Sequence, residues 1–402
     1  MRLPPARRTA LLALLAPVAA FAQDATPAPV DYGALARHVV ARGVDAGGFP
    51  GAVVVAGTRD SVLIQSAFGR TSWQGHASAV SPAGTIYDLA SLTKVIATTS
   101  AVMLLIDDGR LRLDDRVARH LPEFAGGGRD RITIRDLLLH RAGLPAGPDL
   151  RGSSSPAEAK RALLRTAVAS APRAHTRYSD VGPMLLALVV ERIAGEPLDR
   201  LVHRRVFAPL GMRATGFRPS AMSRVAPTAS DAAAGVHDPN ARRLGGVAGH
   251  AGLFATASDL ARFARMMLAG GELDSVRIFQ ERTVKMFTTR QAGGRALGWD
   301  SCVGGGRCGL RMTDSAFGHT GFTGTALWLD PAQGVFVIFL SNAILDPHAY
   351  DPMAVLSDVR ADLADLAVAA ANGSADSSAR LRAEIAINWF HAGAAPAPLS
   401  GN

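Results

Sequence analysis

The order of elements along the chain predicts a mixed fold, α/β in content and α+β in arrangement. An antiparallel sheet is flanked by helices and carries an inserted all-helical domain. Three observations lead there. Short β-branched runs are bunched at the two ends, and helical periodicity fills the middle. No strand–helix–strand alternation appears that would build a parallel sheet. The simplest closure pairs the terminal hairpins with each other.

Taken in order, Tyr32–Gly47 places Leu35, Val39, Val40 and Val44 on one side of a helix. Pro50–Gly57 (PGAVVVAG) and Ser61–Gly69 are β-branched runs around a polar turn, which reads as a hairpin. From Ala90 the period becomes helical. Ser91–Asp108 is closed by Gly109, and Asp130–His140, Pro156–Ser170, Val181–Ala194 and Leu198–Phe207 follow. Asp259–Leu268 is next, with Ser258 as its cap. Strand character returns at Ala296–Cys302, Ala316–His319, Gly324–Leu329 and Gly334–Leu340, the last two joined by the turn sequence Asp-Pro-Ala-Gln. Met353–Ala371 is a final amphipathic helix. Residues 373–402 read as a loosely attached tail with a short helix at Ala379–Trp389. One domain is therefore expected over 23–372, with its sheet part near 31–85 and 290–372 and its helical part near 86–289.

Composition narrows the function classes. The 402 residues include 43 Lys+Arg against 34 Asp+Glu, a net charge of +9. Almost all of that charge is arginine and it is scattered, so nucleic acid is not an expected partner. At 48% hydrophobic and 19% charged, the chain has the material for a large core and is not a disordered protein. No His-x-x-x-His or Cys-x-x-Cys pair suggests zinc, so no metal or cofactor is expected.

Met1–Ala22 reads as a cleavable signal peptide. Arg2, Arg7 and Arg8 form a basic start, Thr9–Phe21 is apolar, and Ala20-Phe21-Ala22 supplies a small–x–small cleavage pattern after Ala22. No later segment is long and apolar enough to span a bilayer. The expected address is periplasmic or secreted. In that setting Cys302 and Cys308, flanking Val-Gly-Gly-Gly-Arg, read either as a bridge across a tight turn or as two free thiols.

Ser91-Leu92-Thr93-Lys94 sets a hydroxyl and an amine three residues apart, on one face of a helix start. A buried lysine with a lowered pKa is expected to take the serine proton there. Tyr178-Ser179-Asp180 adds a phenol that can relay that proton. His319-Thr320-Gly321 lies in a glycine-flanked strand that a substrate backbone can approach. In this order the three motifs resemble the serine β-lactamase and penicillin-binding-protein superfamily, in its class C-like branch of DD-peptidases and esterases. The resemblance extends through Leu137–Pro145 (LLLHRAGLP), Gly246–Phe254 (GVAGHAGLF) and Gly318–Thr325 (GHTGFTGT).

That resemblance implies a β-lactamase/transpeptidase-like fold with Ser91 as the acylated nucleophile. Lys94 and Tyr178 would share acid and base duty, and the backbone N–H groups of Ser91 and Phe322 would form the oxyanion hole. Asp180, His319, Thr320, Gly321 and His250 are the expected substrate contacts. Two departures bear on substrate. His319 stands where the superfamily often has Lys, and a neutral imidazole grips a carboxylate less firmly. Asp180 stands where β-lactamases commonly have Asn, and its charge can either hold Lys94 protonated or favour an amine on the substrate. The expected activity is hydrolysis of small peptides, amides or esters, with DD-carboxypeptidase-like action on cell-wall peptides first. A carboxylesterase of the same fold, or a penicillin-binding sensor with little turnover, follows.

Overall fold

The computed structural model describes residues 30–229, 235–291, 294–303 and 308–373. The signal segment Met1–Ala22 and the helix expected at Ala379–Trp389 lie outside these.

A six-stranded antiparallel sheet forms from both ends of the described chain. Its strands are β1 (Gly51–Thr58), β2 (Val62–Gly69), β3 (Asp300–Ser301), β4 (Phe317–Thr320), β5 (Ala326–Asp330) and β6 (Val335–Ser341), in the spatial order β2-β1-β6-β5-β4-β3. The pairing of β1 with β6, Ala52 opposite Ser341 through Thr58 opposite Val335, is the closure of the two terminal hairpins expected from the sequence.

Both faces of the central strands are covered, which is why they read as continuous apolar runs and not as alternating ones. Val53 and Val55 with Phe336, Ile338 and Leu340 join the main core. On the opposite face Phe339 meets Phe49 edge-on at 5.4 Å, beside α1 (Tyr32–Asp45) and α5 (Pro352–Ala371). The main core is completed by α2 (Ser100–Asp107), α3 (Val181–Ala194) and α4 (Ala257–Leu268). Between β2 and β3 the chain is mostly helical, interrupted by a small sheet of Tyr87–Asp88, Leu253–Ala255 and Gly216–Phe217.

Several boundaries move for local reasons. The helix expected at Asp130–His140 is confined to Ile134–Leu138, where Thr133 and Asp136 form a reciprocal capping box. Pro156–Ser170 shortens to Pro156–Leu164, because the Ala169 and Ser170 N–H groups bond the Gly143 carbonyl and draw the chain into a loop. Thr256, and not Ser258, caps α4 by accepting from the Asp259 N–H. Ala296–Cys302 narrows to β3 because Gly298 adopts φ +86°, which breaks an extended run. Cys302 and Cys308 are joined as a disulfide, with Cα atoms 6.0 Å apart. Among the described residues no helix is long and apolar enough to cross a membrane.

Candidate active site

Ser91 lies in the turn between strand Tyr87–Asp88 and a helix whose first part, Lys94–Thr99, is π-helical. The sequence pattern had suggested one uniform helix starting at Ser91. Such π-segments are favoured at functional sites because they re-aim side chains. Just before the serine, Ala90 is held at φ +46°, a left-handed conformation costly for a residue with a Cβ. The buried Asp88 carboxylate fixes it, accepting from the Ala90 N–H at 2.9 Å and from the His237 N–H at 2.7 Å.

Burial, partly opposed by those two N–H groups, pushes Asp88 up to about 6. The folded value therefore lies above the unfolded one, near 3.9. The stability that this group contributes is complete below about pH 4 and is lost as pH rises through about 6. Urea unfolding should show a loss on the order of 2–3 kcal/mol across that window, absent in Asp88→Leu.

Lys94 is 2% exposed, and its ammonium donates to Ser91 Oγ at 2.8 Å and to the His250 carbonyl at 3.2 Å. It also pairs with Asp180 Oδ1 at 2.8 Å. From the other side the Tyr178 hydroxyl donates to Ser91 Oγ at 3.0 Å, with Nζ 5.0 Å from the ring centroid. Here the lowered lysine pKa expected from the sequence is corrected. Burial does favour the neutral amine, but the Tyr178 oxygen and the Asp180 carboxylate outweigh it and raise Lys94 above its ordinary value. The ammonium stays charged at neutral pH.

The loop after β4 faces the nucleophile turn. Thr323 Oγ1 donates to the Asp88 carbonyl at 2.7 Å and Thr325 Oγ1 to the Leu89 carbonyl at 3.0 Å. These bonds seat the loop that carries Phe322 against the turn that carries Ser91. Among the described residues neither backbone N–H, of Ser91 or of Phe322, has a protein acceptor. His319 is 2% exposed and its Nδ1 donates to the Thr320 carbonyl at 2.7 Å, leaving Nε2 as an acceptor with no partner among the described residues. Burial lowers its pKa to about 4, so the ring is neutral at pH 7. On the side of β4 away from β5, β3 pairs with Gly318 and Phe317, and among the described residues no strand pairs with Thr320 on that side.

A cavity of about 1040 Å³ opens here, lined among others by Ser91, Tyr178, Asp180, His250, His319 and Phe322. The structure thus brings together every residue expected at the site. Thr320 and Gly321 also line it. Three further contributors were not identified from the sequence. His140 accepts the Ser179 N–H on Nδ1 at 3.1 Å and packs its ring, tilted, against Tyr178 at 4.7 Å, positioning the phenol. Asp238 accepts from His250 Nε2 at 2.9 Å. Arg295 pairs with Asp300 and lies 5.9 Å from the Tyr178 ring. Only a knowledge of the tertiary contacts separates these from surface charges. Among the described residues no group of three or more His, Cys, Asp or Glu is placed to hold a metal ion.

A serine flanked by an ammonium and a phenol at the wall of a large cavity is the arrangement of a serine hydrolase. Residues 36–360 match the family model described as Beta-lactamase, and the chain belongs to that family. An Escherichia coli (strain K12) protein with the provisional name D-alanyl-D-alanine carboxypeptidase is 34% identical over 310 residues, covering 67% of this chain and 71% of that one. A Salmonella agona (strain SL483) protein of the same name is 30% identical, over 76% of this chain and 81% of that one. In fold, a penicillin-binding protein homologue from Caulobacter crescentus superposes with TM-score 0.69 at 24% identity, over 85% of this chain and 98% of that one. EstCE1, a hydrolase with promiscuous acyltransferase activity, gives TM-score 0.66 at 23% identity, over 84% and 98%.

Proposed function

We propose that the protein is an exported acyl-transferring hydrolase that cleaves D-alanyl-D-alanine-terminated peptides of cell-wall origin in the manner of a DD-carboxypeptidase. The observation that carries this reading is one ammonium bonded to Ser91 Oγ, with Tyr178 Oη 3.0 Å from the same atom. With Tyr178 as phenolate, its oxygen takes the Ser91 proton while Oγ adds to the substrate carbonyl. The fixed charge of Lys94 lowers the cost of anionic oxygen on either side chain. The tetrahedral oxyanion rests on the N–H groups of Ser91 and Phe322, and Tyr178 returns its proton to the departing amine. Thr320 and Gly321 take the substrate backbone along the open rim of β4, with Asp180 and His319 reading its polar groups.

The experiment pairs a fluorescent penicillin with a peptide ending in D-alanyl-D-alanine. Covalent label on the wild type, none on Ser91→Ala, and release of D-alanine are the expected results. Equal labelling of both proteins overturns the assignment. The neutral His319 favours a second reading, a carboxylesterase, because an uncharged ring adds no attraction for a terminal carboxylate. Turnover of short nitrophenyl esters without D-alanine release selects it. Export is checked by N-terminal sequencing of protein recovered from the periplasm, which should begin at Gln23.

A further inference from the structure

The acyl-enzyme reaction needs a second base, and the site contains a buried imidazole to which the acylation step assigns no proton. His250 sits in the glycine-rich loop before strand Leu253–Ala255 and is 1% exposed. That loop is seated tightly. A Cβ at Gly249 would collide with the Pro183 carbonyl, and the Gly249 carbonyl accepts from Thr98 Oγ1 at 2.7 Å. Two hydrogen bonds, of 2.8 and 3.2 Å, lead from Ser91 Oγ through the Lys94 ammonium to the His250 carbonyl. The residue is thus fixed one lysine head-group away from the nucleophile.

Its ring is oriented as well. Nε2 meets Asp238 Oδ1 at 2.9 Å, and Asp238 also accepts the Ala241 N–H at 2.8 Å. Against the upward push of burial, the His250 bond and the helix-start N–H groups hold Asp238 down to about 2. An ionised carboxylate only accepts, so in the neutral ring the proton sits on Nε2 and Nδ1 carries a bare lone pair. Nδ1 is buried and, among the described residues, has no partner. Leaving such an acceptor unmet in the folded protein is costly. Both His250 and Asp238 line the cavity that holds Ser91. A carboxylate that orients an imidazole, with the second ring nitrogen free, is two-thirds of a hydrolytic triad.

We propose that His250, oriented by Asp238, is the base that activates water for release of the acyl group from Ser91, an inference that rests on the acyl-enzyme reading above. Nδ1 takes one proton of the water as the water oxygen bonds to the acyl carbon, whose π electrons move to the carbonyl oxygen in the oxyanion hole. On collapse the bond from the acyl carbon to Oγ breaks. Oγ takes up one proton from solvent and the imidazolium returns one to it, so Tyr178 stays the phenolate left at the end of acylation.

Nitrophenyl acetate burst kinetics test this with the full-length enzyme. His250→Gln keeps an amide donor toward Asp238 and removes Nδ1. The burst should lose far less than steady-state turnover, which falls by about 10²- to 10⁴-fold. The acyl adduct on Ser91 should then persist by mass spectrometry and be discharged by hydroxylamine, a nucleophile that needs no base. Asp238→Asn, which retains the helix-cap acceptor, should slow the same step by about tenfold. Unchanged turnover in His250→Gln, or equal losses in burst and turnover, overturns the proposal. Should that variant lack a folded burst, an unslowed deacylation in Asp238→Asn overturns it instead. A wild type with no burst and no adduct would strike the acyl-enzyme reading itself.

Discussion

Replacing Lys94 with alanine should lower the rate of Ser91 acylation by about 10²- to 10⁴-fold while leaving substrate affinity nearly unchanged. The reason is where the ammonium acts. It donates to Ser91 Oγ and is pinned by Asp180, so its charge is present throughout the reaction and its stabilisation grows as the serine oxygen becomes anionic. An interaction that strengthens toward the transition state appears in kcat and not in KM. Tyr178→Phe should cost a similar factor, and the double variant should lose little more than either single one, since the two groups serve one proton transfer. Stopped-flow acylation by a chromogenic ester measures all three. Because Lys94 is raised above its usual value, an acid limb of kcat/KM near neutral pH should not come from this residue. A loss confined to KM would remove Lys94 from the chemistry.

The second large effect is expected at Gly321. Its φ is ordinary; the constraint is space. A Cβ there would run into Thr325 Oγ1 and come within 2.5 Å of the Leu89 carbonyl oxygen. Those are the two atoms whose hydrogen bond sets the late loop against the nucleophile turn. Gly321→Ala must push the loop away and carry the Phe322 N–H with it. The expected cost is about 1–3 kcal/mol of stability from overpacking. Turnover should fall by about 10²- to 10³-fold, the loss typical of one oxyanion donor. Urea unfolding and steady-state kinetics on the same preparation separate the two. A stable variant with full kcat would mean that Phe322 does not bind the oxyanion.

Much of this was legible in the sequence because the signals are local. Ser91 and Lys94 share a helical face by spacing alone, and Val181–Ala194 has the same bounds in the structure as in the pattern. The bunching of β-branched runs was enough to predict that the ends of the chain pair. What the sequence does not carry is set by contacts distant along the chain. Asp238 and His250 are twelve residues apart and look like a helix cap and a loop histidine until the fold brings their side chains to 2.9 Å. For Lys94 the sequence offered both signs, an amine lowered by burial and one held charged by Asp180. Burial alone predicts a depressed amine, and the outcome turns on Asp180 and Tyr178 arriving from elsewhere. Boundaries slipped where a glycine or a capping side chain decided them, as at Gly298 and Thr256.

The pairing of Ala52 with Ser341 also bears on how the molecule assembles. During synthesis β1 emerges early and must wait, its inner edge unpaired, until nearly the whole polypeptide has been made. Contacts so far apart along the chain slow folding, and an apolar strand left open meanwhile invites intermolecular pairing. Refolding from denaturant should therefore compete with aggregation in proportion to protein concentration, a vulnerability built into the connectivity and independent of how stable the finished enzyme is.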